Sequence, residues 1–163
     1  MPTMEDVAKQ PREQRLSRLT RTADELAAAL RGRSDETLSR RPDPKNWAAK
    51  EVVCHLRDTE ELFMERFGMI LGMDEPKLSG LNPDRWAEER QYLRNDVNAA
   101  LAAFRKRREE SLELLGKLPS EAWRRAGIHA TRGKFTIEDL LTLICWHDDN
   151  HLDQLGRALE GRV

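Results

Sequence analysis

The chain has 163 residues, of which 39% are hydrophobic and 35% charged, so it suits one domain with a sizeable core and a strongly solvated surface. Its formal net charge of −1 gives no global field that would favour nucleic acid or an anionic membrane. No apolar run is long enough to span a bilayer, and the polar first residues do not resemble a signal peptide. Cys54 and Cys145 lie inside predicted helices, so we expect two packed, reduced thiols in a single-domain cytoplasmic protein covering residues 1–163.

Residues 1–11 are expected to be a loose N-terminal arm. Apolar residues then recur every three or four positions from residue 12 to residue 31, which predicts a first helix with one buried face, ended by Gly32. The second helix should run from about Ala48 to Gly72. Its predicted buried stripe consists of Val52, Leu56, Thr59, Phe63, Phe67 and Ile70.

Residues 73–90 are long for a connection between packed helices, so we expect a crossover that makes the third helix parallel to the second. The third helix is predicted over residues 95–116. Its basic run at residues 105–108 is followed by Glu109 and Glu110, which favours a solvated helix face over a nucleic-acid site. The fourth helix should begin after Thr136, with Asp139 in the capping box, and end at Gly161. The predicted fold is all-α, a four-helix bundle with a long crossover between helices 2 and 3.

Histidines on two of these helices suggest a metal site. His147 and His151 are four residues apart and therefore share one face of the fourth helix, together with apolar residues. His55 faces the core from the middle of the second helix. Three imidazoles would leave an open position on an ion such as Zn²⁺, Ni²⁺ or Fe²⁺. The alternative is that each imidazole hydrogen-bonds to a neighbouring carboxylate or carbonyl.

The segment His147 to His151 also has the frame of the zinc-protease pattern H-E-x-x-H. Asp148 stands where that pattern has its general-base Glu, and a shorter side chain would place the base differently. The chain offers no third ligand downstream of His151. We therefore do not expect a protease.

Two segments resemble the DinB superfamily: WAAKEVVCHLRD at residues 47–58, with a Trp before the helix and a His eight residues on, and HDDNHLDQ at residues 147–154. The resemblance implies an up-down-down-up four-helix bundle with Zn²⁺ or Ni²⁺ bound by His55, His147 and His151, and a homodimer. Ala48 departs from the family, whose members usually have Ser or Thr there.

The resemblance further implies a small-molecule substrate and either metal-dependent hydrolysis or transfer of a low-molecular-weight thiol. Candidate acid, base or outer-shell groups are Glu51 and Asp58, one turn before and after His55, and Asp148 or Gln154 on the last helix. The alternative for each carboxylate is a surface ion pair. Two alternatives to an enzyme remain. One is a non-catalytic metal-binding or stress-induced helical bundle with a structural or vestigial site, and the other is a helical interaction module without metal.

Overall fold

The computed structural model describes all of residues 1–163. It contains eight α-helices: α1 (Met4–Ala8), α2 (Arg12–Leu19), α3 (Thr22–Leu30), α4 (Asp35–Ser39), α5 (Ala49–Gly72), α6 (Pro83–Glu89), α7 (Val97–Gly116) and α8 (Ile137–Leu159). Short 3₁₀ helices span Tyr92–Arg94 and Ser120–Arg124, and two strands, β1 (Ala126–His129) and β2 (Gly133–Thr136), form an antiparallel hairpin. None of the helices combines the length and the apolar character that crossing a bilayer would require.

The three long helices and the α2–α3 segment form the predicted four-helix bundle. Helices α5 and α7 are parallel, because Lys50 lies against Leu93 near the start of the pair and Glu60 lies against Arg108 further along both. The long connection over residues 73–90 is therefore the predicted crossover, which makes the third long helix parallel to the second. It also contains α6, which the sequence pattern did not indicate.

Contacts of α8 complete the up-down-down-up arrangement. Helix α8 runs parallel to α2, since the ion pairs Arg12–Glu138 and Arg18–Asp149 advance together along the two helices. It runs antiparallel to α5, where ring contacts pair residue 47 with residue 151 and residue 63 with residue 147.

The first helix is not continuous as predicted but breaks at Thr20 and Arg21. The Thr20 hydroxyl donates to the carbonyl oxygen of Ser17 at 2.6 Å, and the buried Arg108 guanidinium donates to the carbonyl oxygen of Leu19 at 3.1 Å. These side chains replace helical backbone partners, so the helix stops at α2 and restarts at α3.

The structure contains two further short elements that the sequence pattern did not predict. Residues 1–11 contain helix α1 instead of only a loose arm. Thr3 and Asp6 form a capping box, and Val7 is buried against the bundle. The predicted all-α bundle is confirmed, with one small addition, the β1–β2 hairpin before α8. The crossover backbone joins this hairpin, where the Leu78 N–H donates to the Ile128 carbonyl oxygen at 2.9 Å and the Ile128 N–H donates to that of Pro76 at 2.7 Å.

Polar side chains occupy the middle of the bundle, between two hydrophobic clusters. Along α5 one cluster ends at Leu56 and the other begins at Phe63, while along α8 they are separated between Cys145 and Leu155. We call the polar residues between the clusters the polar layer: Thr22, His55, Thr59, Glu60, Arg108, His147, Asp148 and His151. The candidate site is the part of this layer that lies between α5 and α8.

Candidate metal centre

The two helices that carry the histidines begin with defined caps. Thr136 and Asp139 form the predicted capping box at the start of α8, with hydrogen bonds of 2.9 and 3.0 Å. At the start of α5, Ala48 has no side chain that could cap the helix. Its backbone N–H instead donates to Glu51 Oε1 at 3.0 Å, which retains half of a capping box. These caps fix where each helix starts and therefore which faces meet in the core.

The structure brings the three predicted histidines together. His55 Nε2 and His147 Nε2 are 3.0 Å apart, and one ring nitrogen from each of the three imidazoles lies within 4.8 Å of the other two. The ring centres of His147 and His151 are 4.3 Å apart, as expected for residues one helical turn from each other. His55 is 3% exposed, and the other two are half-buried.

Aromatic rings hold the imidazoles on two sides. Trp47 packs on His55 with ring centres 4.9 Å apart and lies nearly parallel to His151 at 6.4 Å. Phe63 meets His147 edge-on at 5.4 Å. These rings restrict rotation of the imidazoles and exclude water from their faces.

Burial keeps all three imidazoles neutral. It lowers the pKa of His55 to about 3, with the nearby His151 ring as a smaller cause. Burial, reinforced by His151, His55 and Arg108, places the pKa of His147 well below its ordinary value. The pKa of His151 is also lowered by burial, although its hydrogen bond to Gln154 acts in the opposite direction. Neutral imidazole is the form that ligates metals.

The ring nitrogens of the three histidines lie close enough together to hold one divalent ion. His55 Nδ1 and His147 Nδ1 are buried without a hydrogen-bond partner, so neither ring has an outer-shell acceptor within the protein. Two nitrogens bound to one tetrahedral Zn²⁺ at about 2.1 Å lie roughly 3.4 Å apart, so a small outward shift of the His55 and His147 Nε2 atoms from their 3.0 Å separation would accommodate the ion. His151 Nδ1 is held by Gln154 Oε1 at 2.8 Å, which leaves its Nε2 available as a ligand.

A cavity of about 270 Å³ opens onto the three histidines. Its remaining walls are mostly apolar and come from Trp47, Thr59, Leu62, Phe63, Arg66, Leu81, Pro83 and Leu143. Leu81 and Pro83 belong to the crossover, so this connection forms one side of the cavity. No carboxylate lines it.

The three predicted acid or base residues point elsewhere. Glu51 accepts two hydrogen bonds from Arg41, at 2.7 and 2.6 Å, besides capping α5. Asp58 accepts from Arg57, Arg90 and Tyr92. Burial alone would raise the pKa of Asp58, but these hydrogen bonds outweigh it and the pKa lies below its ordinary value.

Asp148, the third predicted residue, belongs to a buried ion-pair network behind the histidines. Arg108 donates to both oxygens of Asp148, at 2.7 and 3.0 Å, and to both oxygens of Glu60, at 2.8 and 3.0 Å. The Thr22 hydroxyl also donates to Asp148. None of the three carboxylates hydrogen-bonds to a histidine, and of the predicted outer-shell groups only Gln154 does.

Both cysteines are buried free thiols outside the cavity. Burial raises the pKa of Cys54 to about 11 and that of Cys145 to about 12, so both stay protonated at neutral pH. Neither is a ligand or a nucleophile for the histidine cluster.

The fold and the site together define a four-helix bundle with a three-histidine cluster at mid-length. The sequence profile of the DinB superfamily matches residues 18–155, which include all three histidines. The chain belongs to the DinB superfamily.

Two relatives extend this comparison. A protein of Oceanobacillus iheyensis is 22% identical over 148 residues, which cover 88% of this chain and 83% of that protein, and its name is "Putative metal-dependent hydrolase". The structure of YfiT from Bacillus subtilis superposes with a TM-score of 0.84 at 21% identity, over 97% of this chain and 88% of that chain. YfiT is described as "a probable metal-dependent hydrolase with an unusual four-helix bundle topology", and the likeness confirms the fold.

Proposed function

We propose that this protein is a metal-dependent hydrolase acting on a small molecule, with one divalent ion bound by His55, His147 and His151. The observation that carries the proposal is the convergence of three neutral imidazoles beside an apolar cavity. The names of the relatives from O. iheyensis and B. subtilis point to the same chemistry. We further propose Zn²⁺ or Ni²⁺ as the ion, since both suit imidazole ligands.

Each residue of the site has a defined part in this proposal. The three histidines would hold the ion, which when bound acidifies a coordinated water or thiol and polarises a carbonyl. Gln154 keeps the His151 ring in one tautomer. Trp47 and Phe63 orient the rings, and the apolar walls bind the substrate body.

One observation favours a second candidate, transfer of a low-molecular-weight thiol. Hydrolysis by an activated water is often assisted by a protein base, and the cavity holds no carboxylate for that role. A thiol bound to the ion would release its proton to solvent and would need no such base. The carboxylates Glu51, Asp58 and Asp148 would then act only by holding the fold around the site.

The two reactions are separated by assaying the metal-loaded protein against a panel of esters and amides, and against an electrophile mixed with small thiols. His147→Gln should abolish whichever activity is present. His129→Gln is the matched control, since His129 is the histidine outside the cluster, and it should retain wild-type activity. Activity that survives His147→Gln or removal of the metal would contradict the proposal.

A further inference from the structure

Arg66 is a buried cation without a carboxylate partner. Three arginines of the chain are nearly inaccessible to solvent: Arg15, Arg66 and Arg108, at 5%, 5% and 3% exposure. Arg15 is paired with Glu138, and Arg108 with two carboxylates. Arg66 forms no ion pair.

The hydrogen bonds of Arg66 leave most of its guanidinium unused. Only Nη2 donates within the protein, to the carbonyl oxygen of Ser79 at 2.7 Å, and Nε is buried with no acceptor. Its sequence neighbour Glu65 is exposed and forms no ion pair with it. Burying a guanidinium N–H without an acceptor lowers the stability of the fold, and an acceptor on a bound ligand would remove this cost.

Arg66 lines the same cavity as the three histidines. It lies eleven residues after His55 on α5, about 16 Å along the helix axis between Cα atoms. Eleven residues are close to three full helical turns, so Arg66 lies on the same face of α5 as His55. Leu62 and Phe63 lie between them on the same wall. The cavity thus has a metal-ligand set at one end, an apolar middle and an unpaired cation at the other.

We propose that Arg66 binds an oxyanion of the substrate, a carboxylate or a phosphate, while the reacting group lies at the metal. The substrate class is then a small, elongated molecule with an apolar middle and an anionic end. Guanidinium matches both oxyanions through paired N–H donors. This inference rests on the proposed function, because it places the other end of the substrate at the metal.

Bifunctional thiols test the inference directly. The Co²⁺-loaded full-length protein is titrated with ω-mercaptocarboxylates of increasing length, with ω-mercaptophosphonates and with the uncharged ω-mercaptoalcohols of the same length. Binding of the sulfur to the metal is followed by the thiolate-to-metal absorption band. The wild type should bind the best anionic probe at least about tenfold more tightly than its alcohol, a typical gain for a charge-assisted hydrogen bond in a buried site. Whichever anion binds more tightly identifies the source of the oxyanion.

Variants assign the preference to Arg66. Arg66→Gln should bind the anionic probe no better than the alcohol, with alcohol affinity and metal content unchanged. Arg66→Met, which keeps the apolar stem, replaces it if the Gln variant fails to fold. Arg33→Gln is the control, since Arg33 is exposed and makes no side-chain contact with an acid, and it should keep the full preference.

Three results would overturn the inference: equal binding of anion and alcohol by the wild type, a preference that survives loss of Arg66, or a variant that loses affinity for both probes equally. The last result would mean that Arg66 only supports the Ser79 segment. Failure of the proposed function is a different result, namely that the wild type takes up no metal and gives no absorption band with any probe.

Discussion

Replacement of Arg108 by Met should expose how much the polar layer contributes to stability. The guanidinium is 3% exposed and donates to Glu60 and Asp148, which are 1% and 0% exposed. The substitution removes the cation but leaves both carboxylates buried. Breaking a buried pair in this way typically lowers the free energy of unfolding by about 3–5 kcal/mol. With two carboxylates left unpaired we expect the upper part of this range, a large share of the roughly 5–15 kcal/mol of a whole domain.

Urea unfolding at neutral pH, followed by circular dichroism, measures this loss. Arg105→Met on the same helix is the matched control, since Arg105 pairs with the exposed Asp24 and should contribute less than about 1 kcal/mol. The loss should be smaller in the double variant Glu60→Gln/Arg108→Met, which leaves one buried carboxylate without a cation instead of two. A loss below about 1 kcal/mol, or one equal to that of Arg105→Met, would refute the reasoning.

Three further predictions concern the site and the assembly. In metal-free protein, the pKa of His55 is about 3 in the folded state, whereas its ordinary value is 6.5. Between these two pH values the imidazole is protonated in the unfolded state but not in the folded state. The contribution of neutral His55 to the free energy of unfolding is therefore complete above about pH 6.5, and it falls by up to about 1.4 kcal/mol per pH unit as the pH drops. In His55→Gln the free energy of unfolding should depend less steeply on pH. An identical slope would contradict this. Gln154→Leu should lower metal affinity about 10–100-fold in a competition titration with a chelator, and unchanged affinity would remove its role in orienting His151. The homodimer stays a prediction, and sedimentation equilibrium giving the mass of one chain would contradict it.

The bundle was predictable because its signals are local. The buried stripe of α5 and the capping box at Thr136 can be read from spacing within one helix, and the structure confirms both. The break at Thr20 could not be read in this way. It depends on Arg108, which is distant in sequence and donates a hydrogen bond to the carbonyl oxygen of Leu19. Helix α1 has only five residues, too few to show a hydrophobic period.

The histidine cluster was predictable for the same reason, since each histidine lies on the inner face of its own helix. The roles of the nearby carboxylates were not. Asp148 follows His147 by one residue, which turns it about 100° around the helix toward Arg108. Asp58 has helical spacing that suits a partner of His55, but Arg57, Arg90 and Tyr92 hold it.

The position of Arg66 on the site-facing side of α5 could also be read from the sequence. His55, Thr59, Leu62 and Arg66 recur every three or four residues, so the sequence places Arg66 on the same face as His55. What the sequence cannot give is the absence of a carboxylate beside it. That absence depends on which residues of α8 and the crossover surround the cavity, and hence on tertiary packing.

Metal analysis of protein purified without a histidine tag tests the central proposal most directly. After incubation with Zn²⁺ or Ni²⁺ and removal of free ion, the wild type and His129→Gln should each hold about one equivalent per chain. His55→Gln and His147→Gln should hold less than about a tenth of an equivalent, because two remaining imidazoles bind weakly. A wild type that takes up no ion, or a His147→Gln variant that still holds a full equivalent, would contradict the assignment of the three histidines as its ligands.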